Sequence, residues 1–261
     1  MIIDTHAHYD DEAFDEDRDA LIRGFYDRGI EMVVNIGADM ESSRRTILLA
    51  EKYDNIYGAI GVHPNETKNL REEDMQWLTA AAAHPKVVAI GEIGLDYYWD
   101  EPERETQIKW FVRQLDVARQ VKLPVVIHSR EAAKDTLDIM KAEKGGEIGG
   151  VIHCFSYSVE MAREYLNMGF FLGIGGVATF KNARRLKEVI QYMPMDRMVL
   201  ETDSPYLTPV PYRGKRNNSG YLPYVVDAVA ELKGMSAEDV IAVTRENALR
   251  LYHKCDDIRV K

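Results

Sequence analysis

Eight short apolar runs alternate with helical patterns along the chain, and this alternation restricts the fold more than any other feature. Each run has three to seven residues, and the apolar positions after it recur every three or four residues. The predicted strands are Met1–Thr5, Met32–Ile36, Ile56–Val62, Val87–Ile90, Pro124–Ile127, Gly150–Ile152, Phe170–Leu172 and Met198–Leu200. The predicted helices are Ala13–Arg28, Ser42–Lys52, Glu72–Ala83, Arg104–Val121, Ala132–Lys141, Glu160–Asn167, Ala183–Tyr192, Leu222–Leu232 and Ala237–Tyr252. This order predicts an α/β fold, a single-domain (β/α)8 TIM barrel over residues 1–261.

A doubly wound sheet has a similar order of strands and helices, so another feature must separate the two folds. Such a sheet normally has a Gly-rich phosphate-binding turn after its first strand. This chain has His6-Ala-His8 at that position instead. Its Gly-rich stretch, Gly173–Gly176, follows the seventh predicted strand without the required spacing and is predicted to be a tight turn. The barrel is therefore the preferred fold.

Composition and charge indicate the class of protein. The 261 residues are 46% hydrophobic and 29% charged, and two are cysteines, which favours a globular protein in a reducing compartment. No signal peptide or membrane span is recognisable, so a cytoplasmic location is expected. The formal net charge of −10 argues against binding along an extended nucleic-acid backbone, but it is compatible with one local phosphate site.

Polar residues of metal-ligand type recur where the predicted strands end. In a barrel, all eight carboxyl ends meet at one mouth. In chain order these residues are His6, His8, His63, Glu92, His128, His153 and Asp203. Each one alone has an ordinary structural interpretation, such as a hydrogen-bonded histidine or a turn-forming aspartate. Together they predict a metal centre, because so many polar groups are costly to bury unless a cation satisfies them.

The number of predicted ligands indicates two divalent ions. Six ligands are too many for one catalytic ion with open positions, and they suit two ions bridged by a carboxylate. The predicted ligands are, for the first ion, His6, His8 and Asp203, for the second, His128 and His153, and for both, the bridging Glu92. Mixed nitrogen and oxygen donors suit Zn²⁺, Mn²⁺, Fe²⁺ or Co²⁺, whereas Mg²⁺ prefers oxygen. The sequence leaves the identity of the metal open, with Mg²⁺, Mn²⁺ and Zn²⁺ as the expected candidates.

The chain resembles the TatD-like deoxyribonuclease family of metal-dependent hydrolases in seven blocks spread over nearly its whole length. The blocks are Asp4-Thr-His-Ala-His8, Ile60-Gly-Val-His-Pro64, Gly91-Glu-Ile-Gly-Leu-Asp-Tyr97, Ile127-His-Ser-Arg-Glu-Ala132, His153-Cys-Phe-Ser156, Glu201-Thr-Asp-Ser-Pro-Tyr-Leu207 and Arg213-Gly-Lys-Arg-Asn217. The resemblance implies a TIM barrel with two divalent cations that hydrolyses phosphodiester bonds in DNA, and in some cases RNA. The expected activity is that of a 3′–5′ exonuclease on single-stranded ends.

Three residues are expected to take part in catalysis. Asp203 would orient or deprotonate the attacking water, and Glu92 would bridge the ions. His63 would bind a phosphate oxygen or protonate the leaving group, and its alternative role is to brace a neighbouring loop. The family often has Gly where this chain has Tyr157, and Glu-Pro where it has Asn218-Ser219. These departures leave the metal ligands intact and concern substrate preference.

Basic and aromatic residues near the predicted mouth are candidates for substrate contact. The candidates are Arg130, Tyr97, Arg213, Lys215 and Arg216. Exposed rings of the run Tyr97–Trp99 would stack on a terminal base, although at least one ring is expected to pack beneath the loop. For the basic cluster, a solvated charged loop is the alternative interpretation.

Two other function classes are compatible with the same residues. The barrel and its metals also serve hydrolases of small amides, lactones or phosphoesters, although such relatives often bridge the ions with a carbamylated lysine rather than a residue like Glu92. A non-catalytic, metal-stabilised scaffold is the other alternative, and an open set of six ligands argues against it. DNA is the expected partner, with no membrane and no obligate protein partner evident.

Overall fold

Eight parallel strands form a nearly closed barrel in which each strand pairs with the next one along the chain. The computed structural model describes the backbone of residues 1–258 and the side chains of residues 1–255. The strands are β1 Ile2–Ala7, β2 Ile30–Ile36, β3 Ile56–Ile60, β4 Val87–Asp96, β5 Val125–Arg130, β6 Gly150–Ile152, β7 Phe171–Ile174 and β8 Met198–Leu200. The predicted TIM barrel is confirmed.

Helices connect these strands on the outside of the barrel. The α-helices of the described chain are α1 Arg18–Arg23, α2 Met40–Lys52, α3 Glu72–Ala81, α4 Arg104–Val121, α5 Ala133–Ala142, α6 Gly145–Ile148, α7 Val159–Asn167, α8 Arg184–Tyr192, α9 Leu222–Lys233 and α10 Ala237–Leu251. None of these described helices combines the length and the apolar character needed to cross a membrane.

Two local predictions were wrong. The helix predicted over Ala13–Arg28 is interrupted, because Gly24 ends α1 and only short 3-10 turns flank it. The tight turn predicted at Gly173–Gly176 is the end of β7 followed by a 3-10 helix over Gly176–Thr179. Neither difference alters the order of the strands.

The barrel interior is filled by apolar side chains. One buried cluster takes at least one residue from every strand, as the packed interior of a TIM barrel requires. Its strand members include Ile3, Val34, Ala59, Val88, Val126, Val151, Phe171 and Val199. The larger cluster packs the helices against the remaining strand residues. A solid interior confines any open site to the ends of the barrel.

Strand β4 is longer than predicted, and this places Glu92 inside the strand rather than at its end. β4 continues to Asp96, which pairs with Arg130 at the end of β5. A glycine is needed between the two strands, because a Cβ at Gly94 would lie 1.9 Å from the carbonyl oxygen of His128. The close approach of β4 and β5 brings Glu92 beside His128.

The barrel closes between β8 and β1 without a regular ladder. One isolated bridge, between Ala7 and Ser204, joins this side of the described barrel. Backbone hydrogen bonds accompany it, from the N–H of His8 to the carbonyl of Ser204 at 2.8 Å and from the N–H of Asp203 to the carbonyl of His6 at 2.9 Å. Side chains complete the closure, since the carboxylate of Asp4 accepts hydrogen bonds from the backbone N–H and the hydroxyl of Thr202, at 3.0 and 2.7 Å. The two ends of the sheet are therefore held together mainly by polar groups near the mouth.

Candidate metal centre

The histidines of the first strand and the aspartate after the last strand form one group of donor atoms. Nε2 of His6 lies 3.1 Å from Nε2 of His8, and Oδ1 of Asp203 lies 3.7 and 3.4 Å from these two atoms. Asp203 has a φ of +56°, which aspartate tolerates better than most residues. Its backbone N–H donates to the carbonyl of His6 at 2.9 Å, and this bond fixes the loop after β8 against β1.

The carboxylate of Glu92 lies between this group and a second pair of histidines. Its Oε2 is 3.6 Å from Nε2 of His6 and 4.0 Å from Nε2 of His8. Its Oε1 is 2.7 Å from Nδ1 of His128 and 3.6 Å from Nε2 of His153. Each oxygen of the carboxylate therefore faces a different pair of imidazoles.

These donor atoms fit divalent cations. Two ligands bound to one ion at about 2.1 Å lie about 3.0 to 4.2 Å apart for bond angles between a right angle and a straight line. Most of the separations given above fall in this range, and the contact between Glu92 and His128 is slightly shorter. Two imidazole nitrogens that face each other at 3.1 Å also require a proton or a cation between them. The donor set is thus suited to hold metal ions.

The histidines are oriented by partners on their other ring nitrogens, as metal-binding histidines usually are. Nδ1–H of His8 donates to the carbonyl of Ile36 at 2.9 Å, and Nε2 of His128 lies 3.1 Å from Oδ2 of Asp96. These contacts leave Nε2 of His8 and Nδ1 of His128 facing Glu92. Nδ1 of His153 lies 3.1 Å from the carboxylate of Glu201.

Sequence reasoning did not assign Asp96 or Glu201 to the site. Asp96 lies four residues after Glu92, and Glu201 lies two residues before Asp203. Their position inside the same blocks as predicted ligands is the one sequence signal that indicates a role.

The charged groups of the centre strongly perturb one another's pKa values. Burial opposes protonation of His153, but the carboxylates of Glu201 and Glu92 outweigh it and raise its pKa to about 10. Burial likewise opposes protonation of His8, whose pKa is nevertheless raised to about 9 by Asp203. Burial alone would raise the pKa of Glu92, yet the surrounding imidazoles hold it well below its ordinary value. The cavity therefore favours positive charge next to its carboxylates.

His63 lies at the edge of this centre. Its ring meets that of His128 edge to face, with the planes 66° apart and the centroids 4.3 Å apart. Nδ1 of His63 accepts the backbone N–H of Asn65 at 3.2 Å. Burial, followed by the neighbouring His128, lowers the pKa of His63 to about 3. Because Nδ1 accepts this bond, the proton of the neutral ring lies on Nε2.

Two of the predicted substrate contacts, Tyr97 and Arg216, are engaged with other side chains of the protein. Tyr97 is 9% exposed, and its hydroxyl donates to Asp135 at 2.9 Å, so its ring is the one packed beneath the loop. Both terminal nitrogens of Arg216 bind the carboxylate of Asp17, at 2.8 and 2.6 Å, and its guanidinium also covers the ring of Phe14. These contacts give Arg216 a structural role between two loops.

The other predicted contacts lie at the surface. Arg130 is exposed, and its guanidinium stacks 3.8 Å from the ring centre of Tyr98. Arg213 is exposed and covers the ring of Phe180 at 4.0 Å, and Lys215 is exposed beside Tyr212. Both side chains retain open faces toward solvent.

Two large aromatic residues are exposed after strands that carry the centre. Trp99, in the run predicted to stack on a base, is 65% exposed on the loop after β4, whereas Tyr206 was not among the predicted site residues. Tyr206 is 55% exposed, its ring centre lies 6.5 Å from that of His8, and its hydroxyl donates to Asp11 at 3.2 Å. Large exposed rings beside a polar cavity are suited to stack on planar groups.

The two departures from the family pattern lie next to the centre without supplying ligands. The hydroxyl of Tyr157 is 2.9 Å from that of Ser129, which follows His128 in the chain. The hydroxyl of Ser219 donates to Asp4 at 2.6 Å, in the network that closes the barrel.

Comparison with known proteins identifies the family. The model of the family described as TatD related DNase matches residues 3–253. The metal-dependent hydrolase YabD of Bacillus subtilis is 45% identical over 252 residues, which are 97% of this chain and 99% of that protein. The metal-dependent hydrolase TatD of Mycobacterium tuberculosis is 37% identical over 96% of this chain and 97% of its own length.

A solved structure gives the same result. The crystal structure of YjjV, a TatD homologue from Escherichia coli K12, matches with a TM-score of 0.91 and 30% identity, covering 97% of this chain and 98% of that one. The chain belongs to the TatD family of metal-dependent hydrolases.

Proposed function

We propose that this hydrolase is a deoxyribonuclease that uses two divalent ions and removes nucleotides from the 3′ end of single-stranded DNA. One observation carries the proposal: the two oxygens of Glu92 face different imidazoles, Oε2 those of His6 and His8 and Oε1 those of His128 and His153. In the proposed arrangement, His6, His8 and Asp203 hold the first ion, His128 and His153 hold the second, and Glu92 contacts both. Such a pair of ions supplies the Lewis acidity that activates water near neutral pH and offsets the charge of a phosphodiester.

The chain's own side chains supply the remaining steps. Asp203 faces the histidines through Oδ1, and its side chain is 18% exposed, so its other oxygen is available to accept a proton from the attacking water. His63 donates Nε2–H to a phosphate oxygen, because its Nδ1 is occupied by Asn65. Attack of the water on phosphorus then breaks the bond to the 3′ oxygen, and this oxygen leaves as a hydroxyl with the proton that Asp203 accepted.

Surface residues around the mouth support an end of a single strand as the substrate. Tyr98, Trp99 and Tyr206 are at least half exposed, and unpaired bases stack on such rings. Arg213 and Lys215 place local positive charge on an otherwise acidic protein. Because the net charge is −10, a short contact at the mouth is favoured over tracking along a duplex.

A panel of labelled oligonucleotides tests the proposal. Single-stranded DNA, blunt duplex DNA and RNA of one sequence are incubated with Mg²⁺ or Mn²⁺. With a 5′ label, the proposal predicts a ladder that shortens from the 3′ end of the single strand. With a 3′ label, it predicts immediate release of a labelled mononucleotide. A Glu92→Ala protein purified in parallel controls for contaminating nucleases.

The same assay separates the nuclease from a small-molecule hydrolase. The nuclease proposal would be rejected if the protein turns over a lactone, an amide or a nitrophenyl phosphodiester but cleaves no oligonucleotide with either metal. Metal binding without turnover of any of these substrates would favour a scaffold.

A further inference from the structure

A buried carboxylate that serves neither proposed ion lies behind two of the histidines. Glu201 follows β8 and is 1% exposed. Residue 173 must be glycine to leave room for it, since a Cβ at Gly173 would lie 2.2 Å from Oε2 of Glu201. A buried carboxylate is costly unless it is hydrogen-bonded or paired with a cation. The fold therefore makes space for a charge that needs a partner.

Only one oxygen of this carboxylate has a hydrogen bond. Oε1 accepts the backbone N–H of Cys154 at 2.6 Å and lies 3.1 Å from Nδ1 of His153. That second contact is close enough for an ion pair but is not aligned as a hydrogen bond, so Nδ1 of His153 has no hydrogen-bond partner. Among the described residues, Oε2 of Glu201 also has none.

His6 contributes a third buried polar atom without a partner. Its Nδ1 makes no hydrogen bond with any described residue. The ring of His6 stacks on that of His153, with the centroids 3.5 Å apart and the planes 17° apart. One donor atom of each ring and one carboxylate oxygen of Glu201 lie within 4.8 Å of one another. The three unpartnered atoms thus belong to neighbouring side chains, although the structure shows no ion pair between His6 and Glu201 themselves.

We propose that Glu201 is a positioning residue that orients one ligand of each ion, with Oε1 accepting Nδ1–H of His153 and Oε2 accepting Nδ1–H of His6. This arrangement leaves Nε2 of both rings free for the ions, and it satisfies all three unpartnered atoms. It rests on the two-ion centre of the proposed function. Glu201 then couples the two ion sites through the Nδ1 atoms of their histidines, whereas Glu92 joins the sites by contacting the ions themselves.

Asp96 provides a matched control because it contacts a ligand of one ion only. Its Oδ2 lies 3.1 Å from Nε2 of His128, and its Oδ1 accepts the backbone N–H groups of Tyr98 and Trp99. Asp96→Asn should therefore weaken the second ion alone. Glu201→Gln keeps an oxygen for the N–H of Cys154, but this neutral oxygen holds Nδ1–H of His153 more weakly than a carboxylate does. Its amide NH2 group cannot accept a hydrogen bond from His6, so the ligands of both ions lose support.

The test measures metal binding rather than turnover. Apoprotein is titrated with Mn²⁺, and each binding step is followed by electron paramagnetic resonance. Two Mn²⁺ ions bound next to each other give a spin-coupled spectrum in this measurement. Glu201→Gln is expected to weaken both steps about 10- to 100-fold, the usual effect of removing an outer partner of metal-binding histidines. Asp96→Asn is expected to weaken one step and to give the spectrum of a single bound ion.

The outcomes separate this inference from the proposed function. If wild type binds two ions and Glu201→Gln binds both equally well, or weakens only one step, the paired role of Glu201 is overturned. The two-ion function is then unaffected. Wild type that binds a single ion overturns the two-ion function and the paired role together. Circular dichroism and thermal unfolding in EDTA establish that each variant folds. If Glu201→Gln does not fold, Glu201→Asp, which withdraws the oxygens by one methylene, replaces it with the same expected direction.

Discussion

Oε1 of Glu92 lies 2.7 Å from Nδ1 of His128, the shortest contact among the donor atoms of the centre described above. The contact exists because β4 continues past Glu92 and stays paired with β5 as far as Asp96 and Arg130. The opposite oxygen of Glu92 faces the histidines of β1. A single side chain in the middle of a strand therefore connects two parts of the barrel wall.

Replacing Glu92 by alanine is expected to abolish turnover and to weaken both metal sites at least about 100-fold, since even outer partners contribute 10- to 100-fold. Metal content after dialysis, measured by inductively coupled plasma mass spectrometry, checks the result. Glu105→Ala, at an exposed acid on α4, is the control and should retain wild-type metal content. Full loading of Glu92→Ala with two ions would contradict the bridging role.

Replacing His63 by alanine is expected to lower kcat about 10²- to 10⁴-fold while the metal content stays unchanged, because the ring donates to substrate rather than to an ion. Turnover and metal content are measured on the same samples. A parallel loss of metal would instead make His63 a ligand, in the group that it can form with Glu92 and His128.

Replacing Trp99 by alanine is expected to raise KM for single-stranded oligonucleotides by about 5- to 150-fold, equivalent to the loss of one stacked base at about 1–3 kcal/mol. Cleavage of a nitrophenyl phosphodiester, which has no base, should change little. Tyr26→Ala removes another ring, 69% exposed on a 3-10 turn far along the chain from the proposed contacts, and should leave both activities intact. Equal cleavage of blunt duplex and single strands by wild type would argue against stacking on an end.

Replacing Arg213 and Lys215 together by alanine is expected to weaken oligonucleotide binding and flatten its salt dependence. Each lost phosphate contact should reduce the slope of log affinity against log salt by about 0.7 for a single strand. Fluorescence anisotropy across a salt series gives this slope. Lys122 and Lys144 are exposed just before strands β5 and β6, at the opposite end of the barrel, and their double replacement is the control. An unchanged slope in the Arg213 and Lys215 double variant would show that these side chains do not contact the phosphates of the substrate.

Replacing Arg216 by alanine is expected to affect stability rather than binding, by about 0.2–1 kcal/mol as for other partly exposed ion pairs. The hydrogen bond from Arg216 lowers the pKa of Asp17 below its ordinary 3.8. A lowered carboxylate pKa stabilises the fold above that value, and the contribution is lost as the pH falls through the folded-state pKa. The difference in Tm between wild type and Arg216→Ala should therefore be present at pH 7 and shrink below pH 3.8. A difference that persists unchanged at low pH would exclude the ion pair as its source.

The sequence predicted the order of strands and the convergence of ligands because both depend on local patterns. Short apolar runs mark the strands, and a histidine such as His153 directly after one must lie at the mouth of a barrel. The extent of β4 was not predictable in this way, since it depends on pairing with β5. As a result, Glu92 was expected at a strand end, whereas it lies within the strand.

Partners distant in the chain explain the remaining differences. Arg216 pairs with Asp17, which is 199 residues away, and no local pattern indicates that contact. Tyr97 and Tyr98 are adjacent, and only the packing of Tyr97 against Asp135 decides which ring is buried. Glu201 occupies space that Gly173 leaves open, and this contact between residues distant in the chain could not be predicted from a local sequence pattern.

The incomplete ladder between β1 and β8 lies where a bound metal ion would couple metal loading to folding. His6 and His8 come from one side of this gap and Asp203 from the other, so an ion held by all three would join the first and last strands of the sheet. The ion would add to the hydrogen bonds that already cross this gap, so part of the cohesion there would depend on the free metal concentration. By ligand linkage, the folded state gains about 2.7 kcal/mol when the free ion is at 100 times its dissociation constant. Removal of the metal would thus destabilise the barrel at the junction between its first and last strands.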